Sequence, residues 1–381
     1  MQTSGSQGLL WSRLSVGVLQ GLVLVLLVSH APDGDQLDAY RWLHIATVLV
    51  AIVVFPVVAL GLGYLKPARL PGWCAALSVA VGAIGYQDAS YHAKVQAARS
   101  ITPTLDGSVP SLQIALLCAV LAYIACALIF SREKQRRNSH DALYETCFEC
   151  SWKMALQILL SATFVAILHL VLWTGAALFL LLGLSFFKAF LGHSWFYIPV
   201  STVAFMAGLH LTDVRTDIVR GTQTLLLALL SWLLPLLVLI TAGFLVSFLL
   251  TGLRPLWATH SATSLLLGVA ALQVALINAA FGNGLEAHVI PRILRASIRA
   301  ACVMLPALVI LAGYALEVRI AQHGFSPHRI TACACTFIAG CYALGYMCAA
   351  FGRRVNLQRI AGTNIVAAYL SLGVLFLVCV L

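Results

Sequence analysis

Charge is what this 381-residue sequence has least of. Only 9% of its residues are Asp, Glu, Lys or Arg, while 61% are hydrophobic. A water-facing domain carries roughly 25% charged residues, so most of the outer surface must face lipid. Acids are the scarcer sign, 13 Asp and Glu against 23 Lys and Arg. Paired-carboxylate catalysis would have to draw on Asp33, Asp35 and Asp38, or on Asp213 and Asp217. In TDVRTDIVRG (212–221) the acids alternate with Arg215 and Arg220, which suggests self-neutralising pairs rather than a metal cage. The sequence has no G-x-S-x-G, H-E-x-x-H, Walker A or dinucleotide motif. It also lacks a clear internal repeat, a low-complexity tract, and any polar stretch long enough to bury a core of its own. The 11 cysteines sit mostly inside apolar runs as small packing residues, which excludes a disulfide framework. CFEC (Cys147 to Cys150) has no second ligand pair, so neither a zinc site nor any other cofactor is expected.

What is present is long apolar segments. They fall at 12–30, 42–65, 72–86, 111–130, 154–182, 197–211, 224–250, 262–281, 297–318, 330–351 and 363–381. A helix needs about 20 apolar residues to cross a bilayer, and a barrel strand would show short alternating runs instead. The expected fold is therefore all-α. It is a polytopic membrane protein of about 11 helices, within a range of about 10 to 12, forming a single helical membrane domain over 1–381. Runs 72–86 and 197–211 are short enough to be re-entrant or tilted. Pro32 directly after Ser29-His30-Ala31 argues that the first run is a retained helix rather than a cleaved signal.

The formal charge is +10. No basic stripe interleaves with aromatics, so nucleic acid is not an expected partner; the Lys and Arg residues mark topology instead. With eleven crossings and a cytoplasmic N-terminus, sixteen of the 23 Lys and Arg residues fall inside and seven outside. The stretch 131–153 (SREKQRRNSHDALYETCFECSWK) is the strongest inside marker, a basic loop whose second half, from about Asp141, can form an amphipathic helix.

Polar residues at membrane depth are the candidate sites. His169 lies near the centre of its run, on a face with Ala162, Ala166, Trp173 and Ala176. Asn278 shares a face with Ala271, Ala275 and Gly282, which suits a packing clamp or a polar lining. Arg299 and Glu317 are five turns apart on one face with Cys302, Pro306, Ile310 and Gly313, and Pro306 tends to kink that helix. In YALEVRIAQHGFSPHRI (314–330), Gly324 can close one helix and Ser326-Pro327 open the next. Glu317, Arg319, His323, His328 and Arg329 then lie at the interface, as an anchored hairpin or a headgroup site.

The same stretch carries a family likeness. It resembles an R-I-x-x-Y-G-L-T-P-x-R connection, with His323 in place of Tyr and Ser326 in place of Thr. SWKMALQILLSATFVAILHLVLWTGAALFLLLGLSFF (151–187) resembles a W-x-x-x-L opening and L-x-x-LF-x-L-x-G run. LINAAFGNG (276–284) resembles an Asn-Ala-aromatic helix end, and LQGLVLVLL (19–27) also fits. Together, over about 12 to 370, these make the chain similar to the domain-of-unknown-function 4153 family of bacterial integral membrane proteins. That family usually continues past its last helix with a polar tail, whereas this sequence ends in an apolar run at Leu381. The resemblance implies a helical fold in the bacterial inner membrane and implies no activity.

Three function classes remain open. The leading one is permease-like passage of a small molecule or lipid. The second is a scaffold or regulatory subunit with a membrane-protein partner or a second copy. The third is an enzyme acting on lipid or envelope substrates. The lipid bilayer is the expected surrounding in all three.

Overall fold

The structure is a computed structural model, described over residues 2–31, 38–99, 110–137, 142–252, 262–282, 291–351 and 355–380. Asp33, Asp35, His140 and the Asn283-Gly284 end of LINAAFGNG lie outside the described residues. The described residues form twelve helices and no strand. These are α1 (Gln2–Ser29), α2 (Asp38–Tyr64), α3 (Leu70–Arg99), α4 (Leu112–Arg137), α5 (Leu143–Leu181) and α6 (Phe186–Gly192), then α7 (Ser194–Val214), α8 (Thr216–Thr251), α9 (Ala262–Phe281), α10 (Arg292–His323), α11 (Pro327–Ala350) and α12 (Leu357–Val380).

Ten of them are long and apolar enough to cross a membrane. Their outer faces are oily: Leu181 is 83% exposed and Leu250 82%. Water would penalise each such face by several kcal/mol, at about 1.5–3 kcal/mol per large side chain, whereas lipid does not. This is a multi-pass helical membrane protein.

The sequence suggests one continuous domain, but the packing resolves into two compact units. The first holds 1–140 and 150–220, the second 141–149 and 221–379. The stretch 131–153 is also not a loop. α4 runs on to Arg137 and α5 begins at Leu143, so only a short connection separates two helix ends. The extension of α4 is held by contacts the apolar pattern does not reveal, among them an ion pair of 2.6 Å between Arg69 and the buried Glu133.

In the first unit, α1 lies against α7. Gly17 and Gly21 make this possible, because a Cβ on Gly21 would come within 2.7 Å of the Pro199 Cα. Small residues one turn apart let two helices approach to backbone contact. Run 72–86 lies in α3, which is not among the ten most apolar helices. Yet α3 returns along α2 for its full height. Tyr86 meets Trp42 near the start of α2 at 5.6 Å, and Asp88 accepts a bond from Ser111 before α4. At the other end, Tyr64 stacks on Phe130 at 4.9 Å beside the Arg69–Glu133 pair. From Leu70 to Asp88 is about 27 Å at 1.5 Å per residue, close to the thickness of the hydrocarbon core.

In the second unit, α10 supplies the central face. Leu294, Ile298, Ala301, Leu305, Leu308 and Ala312 recur every three or four residues and are all buried. They pack with Leu276, Ile277 and Phe281 of α9 and with Ala343, Tyr346 and Ala349 of α11. Gly324 ends α10 at φ 72°, a backbone conformation that favours glycine, and Pro327 opens α11 after an extended Ser326.

Candidate functional site

The first unit contains a charged cluster built from three helices. Arg13 of α1 is only 1% exposed. Its Nε donates to the Ala59 carbonyl of α2 (3.1 Å), Nη1 to the Leu209 carbonyl of α7 (3.4 Å), and Nη2 to Asp213 Oδ2 (3.0 Å). The planar guanidinium fork allows one side chain to join three helices. Gly63 leaves room for it, since a Cβ there would stand 3.1 Å from Nη2.

Asp213 uses its other oxygen for α5. Lys153 Nζ donates to Oδ1 at 2.7 Å and Gln157 Nε2 at 3.3 Å. The Lys153 ammonium also lies 5.2 Å from the centre of the Tyr64 ring, a cation–π contact. Arg13 and Lys153 differ in burial: Lys153 is 31% exposed and Asp213 16%. Arg13 is locked in, while Lys153 stands at the mouth. Asp213 is the next-to-last residue of α7 and Tyr64 the last of α2, so the mouth lies at an end of the bundle. Deeper along α5, Ser161 is closed off by Gly208, where a Cβ would come within 2.9 Å of the Ser161 Cα.

Buried polar atoms in this region without a hydrogen-bond partner include Gln157 Oε1, whose own amide nitrogen holds Asp213, His210 Nδ1, three residues before Asp213 on the same helix, and the Tyr64 hydroxyl oxygen. Counting Arg13, Lys153 and Asp213, the cluster carries a net positive charge. For Asp213 the expected pairing within 212–221 is corrected: it pairs with cations from α1 and α5. Arg215, Asp217 and Arg220 are exposed. Helix geometry explains this, because α7 ends at Val214 and α8 begins at Thr216, which directs the neighbouring charges outward.

The second unit holds a neutral counterpart around Asn278. Tyr346 Oη donates to Asn364 Oδ1 (2.5 Å) and also reaches Asn278 Oδ1 (3.2 Å), and Asn364 Nδ2 donates to Asn278 Oδ1 (2.6 Å). Asn278 Nδ2 returns its proton to the Val274 carbonyl of its own helix (3.0 Å). The three side chains come from α9, α11 and α12. Nearby, Tyr144 Oη donates to the Gly282 carbonyl at 3.3 Å.

The other expected site residues do not gather here. His169 Nε2 lies 2.7 Å from Ser201 Oγ, whose hydroxyl is spent on the Tyr197 carbonyl (2.6 Å). The ring nitrogen therefore donates to Ser201. The Arg299–Glu317 stripe does not form one lining. Cys302 is in the core, Ile310 is 70% exposed, and Glu317 is exposed. His323 and His328 are exposed and Arg319 half-buried. Arg329 Nη1 bonds the His323 and Gly324 carbonyls at 3.0 and 2.6 Å and so caps the end of α10. Cys147 and Cys150 lie on α5 and form no disulfide, and no group of His, Cys, Asp or Glu among the described residues is arranged to hold a metal.

Comparison with family models, with curated proteins and with solved structures finds no match to this chain.

Proposed function

We propose that this chain is a multi-pass protein of the bacterial inner membrane, of the domain-of-unknown-function 4153 type, that passes a small molecule or lipid in a permease-like manner. In this reading it crosses eleven times, by the ten apolar helices and α3, with its N-terminus in the cytoplasm. The excess of Lys and Arg on that side supports the orientation. The mouth of the charged cluster then faces the cytoplasm.

One observation carries the functional reading. Arg13, Asp213 and Lys153 are ionised groups within membrane helices, arranged with one anchored cation, one partly open cation and a shared carboxylate. Charges at membrane depth are expensive to hold and mark ligand paths. Ser161 against Gly208 closes the way beyond them, as expected of a carrier resting in a state open to one side. The scaffold reading draws on a different observation, the Asn278–Tyr346–Asn364 cluster, which holds three helices together.

The test is accessibility at Gln157. A single Gln157→Cys in a cysteine-free chain, in native membranes, is challenged with an impermeant thiol reagent from each side. Rapid labelling from the cytoplasm and slower labelling from the outside is the expected result. Labelling from one side only, in a folded protein, would remove passage along this route and leave the scaffold reading.

A further inference from the structure

We infer that the cluster of the first unit is a binding site for a phosphate monoester, with Lys153 as the cation and Gln157 as the selecting group. The inference rests on the permease-like reading for its role but not for its chemistry.

Three features define what would fit. First, the cluster carries one positive charge in excess, and Arg13 is committed to Ala59, Leu209 and Asp213. Lys153 is the cation that can turn outward: it is 31% exposed and makes one ion pair with Asp213 and one ring contact with Tyr64. An anion arriving at the mouth meets its ammonium. Second, Gln157 is 1% exposed, and its Oε1 has no donor facing it. A buried acceptor without a partner loses about 1–3 kcal/mol, so it marks a place for a donor. Third, His210 Nδ1 is likewise buried without a partner.

A ligand that meets both demands carries a negative oxygen and an acidic hydroxyl on the same small group. A phosphate monoester does so below about pH 6, where its second proton is still bound. Its P–O⁻ would take Lys153 and its P–OH would donate to Gln157 Oε1. A phosphodiester has the charge but no P–OH, and a carboxylate ionised at this pH has no proton to give. The groups facing Asp213 are Arg13 from α1, Tyr64 from α2, Lys153 and Gln157 from α5, and His210 on its own helix. None of them supplies the missing donor to Gln157 Oε1. The monoester has two sources, the headgroup of phosphatidic acid or free hydrogenphosphate.

The experiment uses the full chain in phosphatidylcholine nanodiscs at about pH 5.5, where the monoester keeps its second proton. Its thermal unfolding is followed by tryptophan fluorescence with phosphatidic acid, with phosphatidylmethanol (a diester without a hydroxyl), or with inorganic phosphate at constant ionic strength. Phosphatidic acid is expected to bind about tenfold tighter than phosphatidylmethanol, the size of one charge-assisted hydrogen bond. Gln157→Leu should abolish that preference while leaving the weaker binding of the diester, and Lys153→Gln should weaken both lipids. Stabilisation by inorganic phosphate as well would assign the site to the free anion, and its absence to the lipid. Equal affinity for the two lipids in the wild-type chain would overturn the inference, and so would no shift with any probe. If monoester binding fails but Gln157→Cys is still labelled from both sides, the permease-like reading survives without this ligand. Binding without two-sided labelling would leave a lipid-anchored scaffold.

Discussion

The two units solve the same problem, polar groups within membrane helices, in opposite ways. The first concentrates full charges, with a carboxylate between an arginine and a lysine. The second uses only neutral amides and a phenol, joined in a chain that ends on its own backbone. In the neutral chain the donors and acceptors find each other, and what remains is a clamp. In the charged cluster Gln157 Oε1 and His210 Nδ1 are left without partners, and one cation stands at the surface. The difference separates a fastening from a site. What distinguishes the site is the open cation beside an unsatisfied atom, since Gln273 Oε1 of α9 in the second unit is also buried without a partner.

The comparison breaks first at Asp213. Asp213→Asn leaves the Arg13 guanidinium buried without a counter-ion, and stranding one partner of a buried pair costs about 3–5 kcal/mol. The expected outcome is a large drop in the unfolding midpoint in detergent and in the yield of folded protein. The double change Arg13→Met with Asp213→Leu removes both charges and should recover most of the loss. No recovery would mean that the three-helix junction depends on the backbone bonds of Arg13 rather than on its charge.

The neutral chain should give less. Membrane hydrogen bonds between side chains average about 0.6 kcal/mol and reach about 1.7. Asn364→Leu removes two of the three side-chain bonds and leaves Tyr346 its direct bond to Asn278, so about 1–2 kcal/mol is expected. Tyr346→Phe removes one terminal donor and should cost less than Asn364→Leu. If Asn364→Leu proved as severe as Asp213→Asn, the distinction between clamp and site would fail.

Much of this architecture is legible in the sequence, for physical reasons that also explain what is not. Long apolar runs reveal crossings because lipid tolerates little else, and the Gly324-Ser326-Pro327 turn is readable because its backbone chemistry is local. Asn278 stands out for a similar reason, since an amide inside an apolar helix must bond somewhere. The charged cluster is hidden for the opposite reason. Arg13, Lys153 and Asp213 each sit near the end of an apolar run, where a charge ordinarily marks topology. Their 140- and 60-residue separations give no pattern at helical spacing. One signal was there to find: Arg13 lies a full turn inside a helix that continues beyond it on both sides. Of the expected stripe on α10, only the spacing survives: Cys302 lies in the core while Ile310 faces out.

Lys153 offers the smallest stability effect and the sharpest test of the division of labour within the cluster. Lys153→Gln leaves Asp213 its bond to Arg13 and sends no charge into isolation. Because Lys153 is 31% exposed, solvent already screens its pair, and about 0–1 kcal/mol is the expected loss. Salt should reproduce the change in part. Raising the salt from low ionic strength toward 1 M shortens the screening length to about 3 Å. The wild-type midpoint should therefore fall toward that of Lys153→Gln, while the Arg13 contribution, 1% exposed, stays put. A loss as large as that of Asp213→Asn would make Lys153 a structural tie. A small loss accompanied by the failure of lipid binding would show a cation kept for a ligand rather than for the fold.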